Sequence, residues 1–356
     1  MVIRTKIKVR GILIIGFVSL ISWLMGGVII KLIICGNGLD IHVGLNTSYR
    51  AYRDYLLNKK IYEGESAISI IEKSDFFIPR DKDCWTDLEN ALTFDYRKYI
   101  TQYIDAFDRD IDDNNYETSI AQMNSANQFF QNNSQAIARD FTNNWFWEWI
   151  ARVYYNNIEE VCYKNSNDGI HEVIDGDCIC INFNYTHTLE DMFGINKTNV
   201  LYIHNRLPDK RNLNDKGIDF ERDILALAKK QFQFGSVNNY LDEWINFANS
   251  IKLKSSQKLM SKKSLIDNLK EIYYAFSKKL SMNYDVLSKF IDENKTKITE
   301  VIVIGHSMLG VDEPYYRDVI VPKLKDVHWD VYWHKFDDAS IFIEKYKLPE
   351  AKSKEW

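Results

Sequence analysis

The residues best suited to chemistry in this chain stand where apolar runs stop. Val28-Ile-Ile-Lys-Leu-Ile-Ile-Cys35 ends in Gly36-Asn37-Gly38, and Cys178–Phe183 ends in Asn184-Tyr185-Thr186. Val200–Ile203 ends in His204-Asn205, and Glu300–Ile304 ends in Gly305-His306-Ser307. Paired glycines after a β-branched run tolerate positive φ and let backbone N–H groups come close to a phosphate. A plain structural turn has the same Gly-x-Gly spelling, so the first loop gains meaning from the three polar ends that follow.

Those ends need elements to bring them together. The apolar runs read as buried strands, and the long stretches between them read as helices, which predicts an α/β fold with a parallel, doubly wound sheet. In such open sheets a ligand sits beyond the C-terminal strand ends, where the strand order reverses. The four loops are therefore expected to converge. Large helical insertions are expected at about 50–175 and 206–298, with Trp85–Leu92 and Phe141–Tyr155 as their most amphipathic pieces. Asp108–Asn115 and Asn124–Ser134 read as polar breaks. Thr47 or Ser48 is placed to cap the first long helix, Thr186 the helix after the second strand, and Asp312, with Pro314 behind it, a later one. The last strand is expected at Trp329–Trp333.

Composition narrows the partners. Charged residues make up 27% of the 356, yet the net charge is −5, so no basic field argues for nucleic acid. Aromatic residues, 14% of the chain, serve core packing first and suit stacking on a planar ligand second. The five cysteines show no C-x-x-C spacing, which points to free thiols in a reducing cytoplasm. With no metal-spaced His/Cys/Asp set, no metal is expected.

The N-terminus leaves alternatives open. Arg4, Lys6, Lys8 and Arg10 precede an uncharged run from Ile12 to Ile30, close to the ~20 residues that cross a bilayer. It reads either as a membrane anchor or as a leader without structure, with Met25 as a second candidate start. Against the anchor, the run enters the first strand through Lys31 alone.

Taken together, Ile34-Cys-Gly-Asn-Gly-Leu-Asp40, Gly44-Leu-Asn-Thr-Ser-Tyr49, Trp85-Thr-Asp-Leu-Glu89, Asn182-Phe-Asn-Tyr-Thr186, Ile203-His204 and Ile304-Gly-His-Ser307 with Asp312 resemble the AbiH family of bacteriophage abortive-infection proteins. The resemblance runs from about residue 31 to residue 316. It implies one domain over 31–345, a phage-defence role with a phage trigger, and helical segments that carry either trigger sensing or self-association.

The same loops are similar, more distantly, to the sirtuin-like NAD-binding fold. That resemblance implies NAD as ligand or substrate, with Gly36, Asn37 and Gly38 at its phosphates, Asn184 and His204 catalytic, and Gly305 and Ser307 at a ribose or phosphate. Thr186 stands where that fold usually has an acid, and Asn205 where it has a glycine. Cleaving the nicotinamide–ribose bond passes through an oxocarbenium-like centre. A neutral Asn184 can hold the attacking oxygen there, and His204 can take its proton. Asp40 is a candidate for a ribose hydroxyl, and Thr186 and Asp312 for further ligand contacts. Each residue also has a plainer role: Asn184 in an Asx turn, His204 bonded to backbone, Ser307 in a turn, Asp40 as a helix cap. His187 and His306 flank the motifs and read as scaffold.

Overall fold

A computed structural model of the chain describes residues 30–61, 64–73, 84–109, 136–164, 169–174, 177–209, 235–237, 240–252, 258–278, 280–333 and 336–355. The apolar segment 12–29 and the expected break at Asn124–Ser134 lie outside the described residues, as does most of the break at Asp108–Asn115.

Six strands form one sheet: β1 (Ile30–Cys35), β2 (Cys178–Asn182), β3 (Val200–Tyr202), β4 (Ile298–Ile304), β5 (His328–Trp333) and β6 (Lys352–Glu355). They lie in the order β3-β2-β1-β4-β5-β6, and every neighbouring pair is parallel. The order reverses between β1 and β4, so the chain has the doubly wound, Rossmann-like arrangement with its switch point at the ends of those two strands.

Both faces of the sheet are buried, which is why the strands read as nearly continuous apolar runs. Side chains alternate between two cores. Ile33, Cys35, Cys178, Cys180, Ile302 and Ile304 join the core under the helical insertions, with Tyr52, Ile100, Phe146, Trp244 and Phe276. Leu32, Ile34, Ile179, Ile181, Val301, Val303 and Trp329 join the opposite core, with Leu287, Ile291, Tyr316 and Phe342. The first face is covered by helices Tyr49–Asn58, Tyr96–Arg109, Trp145–Lys164, Leu241–Ser250 and Lys258–Phe276, and the second by Leu280–Asn294 and Phe336–Tyr346.

Two local expectations change. β6 lies beyond residue 345, where the sequence reading ends the domain. It is a short edge strand of Lys-Ser-Lys-Glu, largely exposed, so it carries no apolar pattern. Ser48 caps helix Tyr49–Asn58, its hydroxyl accepting from Ala51 N at 3.2 Å, but Thr186 caps nothing. The short helix Thr188–Asp191 starts after His187 without a side-chain cap, because the Thr186 hydroxyl is turned to Asp40.

The five cysteines are free, and Cys178 and Cys180 share a face with their sulfurs 3.7 Å apart. Among the described residues no helix is long and apolar enough to cross a membrane.

Candidate active site

The loops after β1, β2, β3 and β4 meet over the switch point. The closest approach joins the first and the last. Gly38 N donates to Gly305 O at 2.7 Å, and a Cβ on Gly38 would stand 2.6 Å from Gly305 Cα. Gly305 holds φ +58, and a side chain there would meet Leu39 N at 2.3 Å. Gly36 is bare for another reason: a Cβ would lie 2.4 Å from His306 Nδ1. The glycines thus let two loops and an imidazole pack closely. The Gly36 amide also donates inward, to Ile304 O at 3.3 Å. Neither it nor the Gly38 amide points its hydrogen toward a ligand.

Beside this junction lies a cavity of about 410 Å³, a volume usual for small-molecule sites. Of the residues singled out from sequence, Asn37, Gly38, Asn184, His204, Gly305, Ser307 and Asp312 line it. Gly36, Asp40 and Thr186 stand behind the wall. Asp40 is fully buried, accepting the Thr186 hydroxyl at 2.7 Å and the Thr188 hydroxyl at 2.5 Å, with the Asn184 amide as a third partner. It ties the first loop to the second, and lies within the short helix Asn37–His42 rather than ahead of it. Burial raises its carboxyl to about 6 against these three bonds.

Asn182, not Asn184, builds the Asx turn after β2: its Oδ1 accepts from Asn184 N at 2.8 Å and from Cys35 Sγ at 3.3 Å. Asn184 Oδ1 accepts from Tyr185 N at 2.9 Å and keeps a second lone pair. Asn205 takes φ 70, a left-handed conformation that Asn tolerates better than other side chains. Behind the third strand end, Asn283 donates to Ile203 O at 2.9 Å and to the Tyr315 hydroxyl at 3.0 Å.

The centre of the cavity wall is a buried charge cluster. Lys278 Nζ contacts Glu89 Oε2 at 2.7 Å and Asp312 Oδ1 at 2.8 Å, with its side chain fully buried. Asp312 Oδ1 also meets His204 Nε2 at 3.0 Å. Asp312 occupies the cap position of the turn it precedes, but its side chain makes no cap bond because these partners hold it. Burial alone would raise its carboxyl; Lys278 and His204 outweigh that and hold it well below the usual range. Burial and the Lys278 charge lower His204, with Asp312 opposing them. His204 is therefore a neutral imidazole at pH 7, fixed through Nε2, while its buried Nδ1 has no hydrogen-bond partner among the described residues.

His306 is more than scaffold in position. Its ring stacks on Phe183 at 4.2 Å and lies near-parallel to Tyr316 at 5.6 Å, and its Nε2, also without a hydrogen-bond partner among the described residues, lies 3.9 Å from Asp312 Oδ2. Burial depresses it to about 4. Tyr49, Phe146, Trp149 and Tyr185 give the cavity an aromatic wall.

Sequence reasoning missed Lys278, Glu89 and Tyr49 as site residues. Glu89 closes the Trp85–Glu89 motif, which was the available signal; Lys278 follows a helix end in a lysine-rich region and carried none. Away from the cavity, Glu300, His328 and Asp330 on β4 and β5 bring ligand-type atoms within 4.8 Å of one another. Lys354 ion-pairs with Asp330 there and supplies a positive charge.

The profile of the family described as bacteriophage abortive infection AbiH matches residues 32–333, taking in all the site loops, Glu89 and Lys278. The chain belongs to the AbiH family. Its family indicates a function in bacteriophage abortive infection. No curated protein is found to match this AbiH chain.

Proposed function

We propose that this AbiH protein halts phage infection by hydrolysing the N-glycosidic bond of a nucleotide, with NAD as the substrate. One observation carries the reading: His204 lines the cavity with Nε2 held by Asp312 and Nδ1 unbonded. A neutral imidazole so oriented accepts a proton at Nδ1, and the ionised carboxylate stabilises the imidazolium that forms.

In the reaction a water gives its proton to His204 and its oxygen bonds to the ribose C1′. The C1′–N bond breaks, and its electron pair neutralises the pyridinium as nicotinamide departs. Asn184 holds the attacking oxygen through its free lone pair, and the aromatic wall takes the planar ring. Asp312 supplies negative charge near the developing oxocarbenium centre.

The test is nicotinamide release by the purified full chain, alone and with lysate of infected cells. Release by the wild type, reduced about 10²- to 10⁴-fold in His204→Ala, is the expected result. NAD binding without release, under both conditions, would make the protein a nucleotide sensor instead.

A further inference from the structure

Glu89 and Asp312 form a pair of carboxyl groups on one cavity wall, and their partners are unequal. Each places an oxygen within hydrogen-bond reach of the same Lys278 Nζ, at 2.7 and 2.8 Å. Two carboxyls bridged this way are close enough to act on one scissile bond, as the carboxyl pairs of glycoside hydrolases do at separations of about 5–5.5 Å. Asp312 has His204 as a second partner and His306 close by. Glu89 has Lys278 and the Tyr49 hydroxyl.

Resting on the N-glycosidic reading above, we infer that Glu89 is a second catalytic residue, the acid that protonates a departing neutral nucleobase, so that the site also accepts nucleotides whose base would otherwise leave as an anion. One ammonium cannot neutralise two buried carboxylates, and the proton goes to the one with fewer nitrogen partners: Asp312 has His204 Nε2 at 3.0 Å and His306 Nε2 at 3.9 Å besides the ammonium, and Glu89 has neither. Burial, with Asp312 adding to it, raises Glu89 even against Lys278, whereas Asp312 stays ionised. Environments that split two neighbouring carboxyls in this way divide them into acid and stabilising anion. Nicotinamide needs no such acid, because the electron pair of the broken bond turns the cationic pyridinium into a neutral leaving group. A purine nitrogen does need one.

The step balances as one added water. The water oxygen bonds to C1′ and its proton goes to His204. The C1′–N bond breaks with its electron pair remaining on the base, and the Glu89 proton joins that nitrogen. His204 releases its proton to solvent and Glu89 is reprotonated from it. Lys278 is a positioning residue that keeps the two carboxyls facing the same substrate.

The test uses adenosine 5′-monophosphate and NAD as probes with the full chain, infected-cell lysate added, and the His204→Ala protein as the blank. The wild type is expected to release adenine from the monophosphate. Glu89→Gln is expected to cut adenine release about 10²-fold or more and to lower the ratio of adenine to nicotinamide released. Tyr49→Phe removes a donor that favours the Glu89 carboxylate. The alkaline limb of the adenine-release profile should therefore move to higher pH.

Nicotinamide release with no adenine release, or adenine release untouched by Glu89→Gln, overturns the inference and leaves the NAD reading standing. Release of neither base from either probe overturns both. Should Glu89→Gln fail to fold by thermal melting, the wild-type profile decides: adenine release without an alkaline limb overturns the acid role.

Discussion

At Asp40 two threonine hydroxyls and an asparagine amide converge on a carboxyl that has no access to solvent. The folded protein holds this proton up to about 6, against 3.8 for an ordinary aspartate. Between those values the native state binds a proton that the unfolded chain releases, so stability falls as pH rises through the window. The contribution is fully present below the ordinary value and lost above the raised one, about 3 kcal/mol at most. Asp40→Asn, neutral at every pH, removes it. Urea unfolding of both proteins from about pH 4 to about pH 7 should show the wild type losing stability relative to the variant by about 2–3 kcal/mol. A constant difference across that range would mean that Asp40 is ionised throughout.

The loops test a different physical limit, the close approach of backbones. Gly38 stands in the first turn of the short helix Asn37–His42 and Gly44 just after its end, and a methyl group at each meets a different obstacle. At Gly38 it collides with Gly305 backbone, which has no rotamer to yield. At Gly44 it meets nothing within 4 Å, but φ is +98. Gly44→Ala is therefore expected to cost about 1–2 kcal/mol and to leave the site intact. Gly38→Ala is expected to cost about 3 kcal/mol and to part the loops, lowering catalysis as well. Thermal melts paired with nicotinamide release separate the two. Equal losses in both variants would mean that backbone strain alone governs the first loop.

The same elements show what the sequence could reveal. β1, β2 and β4 are legible as apolar runs because both sheet faces are covered, and their polar ends mark the cavity. β6 is not, since an exposed edge strand has no burial to pattern it. Thr186 and Asp312 look like helix caps from spacing alone. Their side chains turn instead to Asp40 and to Lys278, partners far away in sequence. Lys278 is the least legible residue of the site, because a lysine becomes distinctive only once folding has closed two carboxylates around it.

At the scale of the whole molecule the charge cluster joins the two halves of the fold. The sheet supplies His204 and Asp312, from loops after β3 and β4, and the helical insertions supply Glu89 and Lys278. The cavity between them is lined by Phe146, whose ring meets Tyr185 edge-on at 5.2 Å. Lys278 is thus a fastener as well as a positioning group. Lys278→Met keeps the length of the side chain but leaves Asp312 and Glu89 buried without their shared cation, an arrangement that costs about 3–5 kcal/mol. Adding Asp312→Asn to Lys278→Met removes the uncompensated charge, since Glu89 keeps its proton. The double variant should recover part of the loss, giving a favourable coupling in a double-mutant cycle. Limited proteolysis should cut the helical insertions of Lys278→Met before the sheet, since the Lys278–Asp312 ion pair that holds the insertions to the β4 loop is gone. If the double variant were less stable than Lys278→Met, Asp312 would owe its place to packing and to His204 rather than to the ammonium.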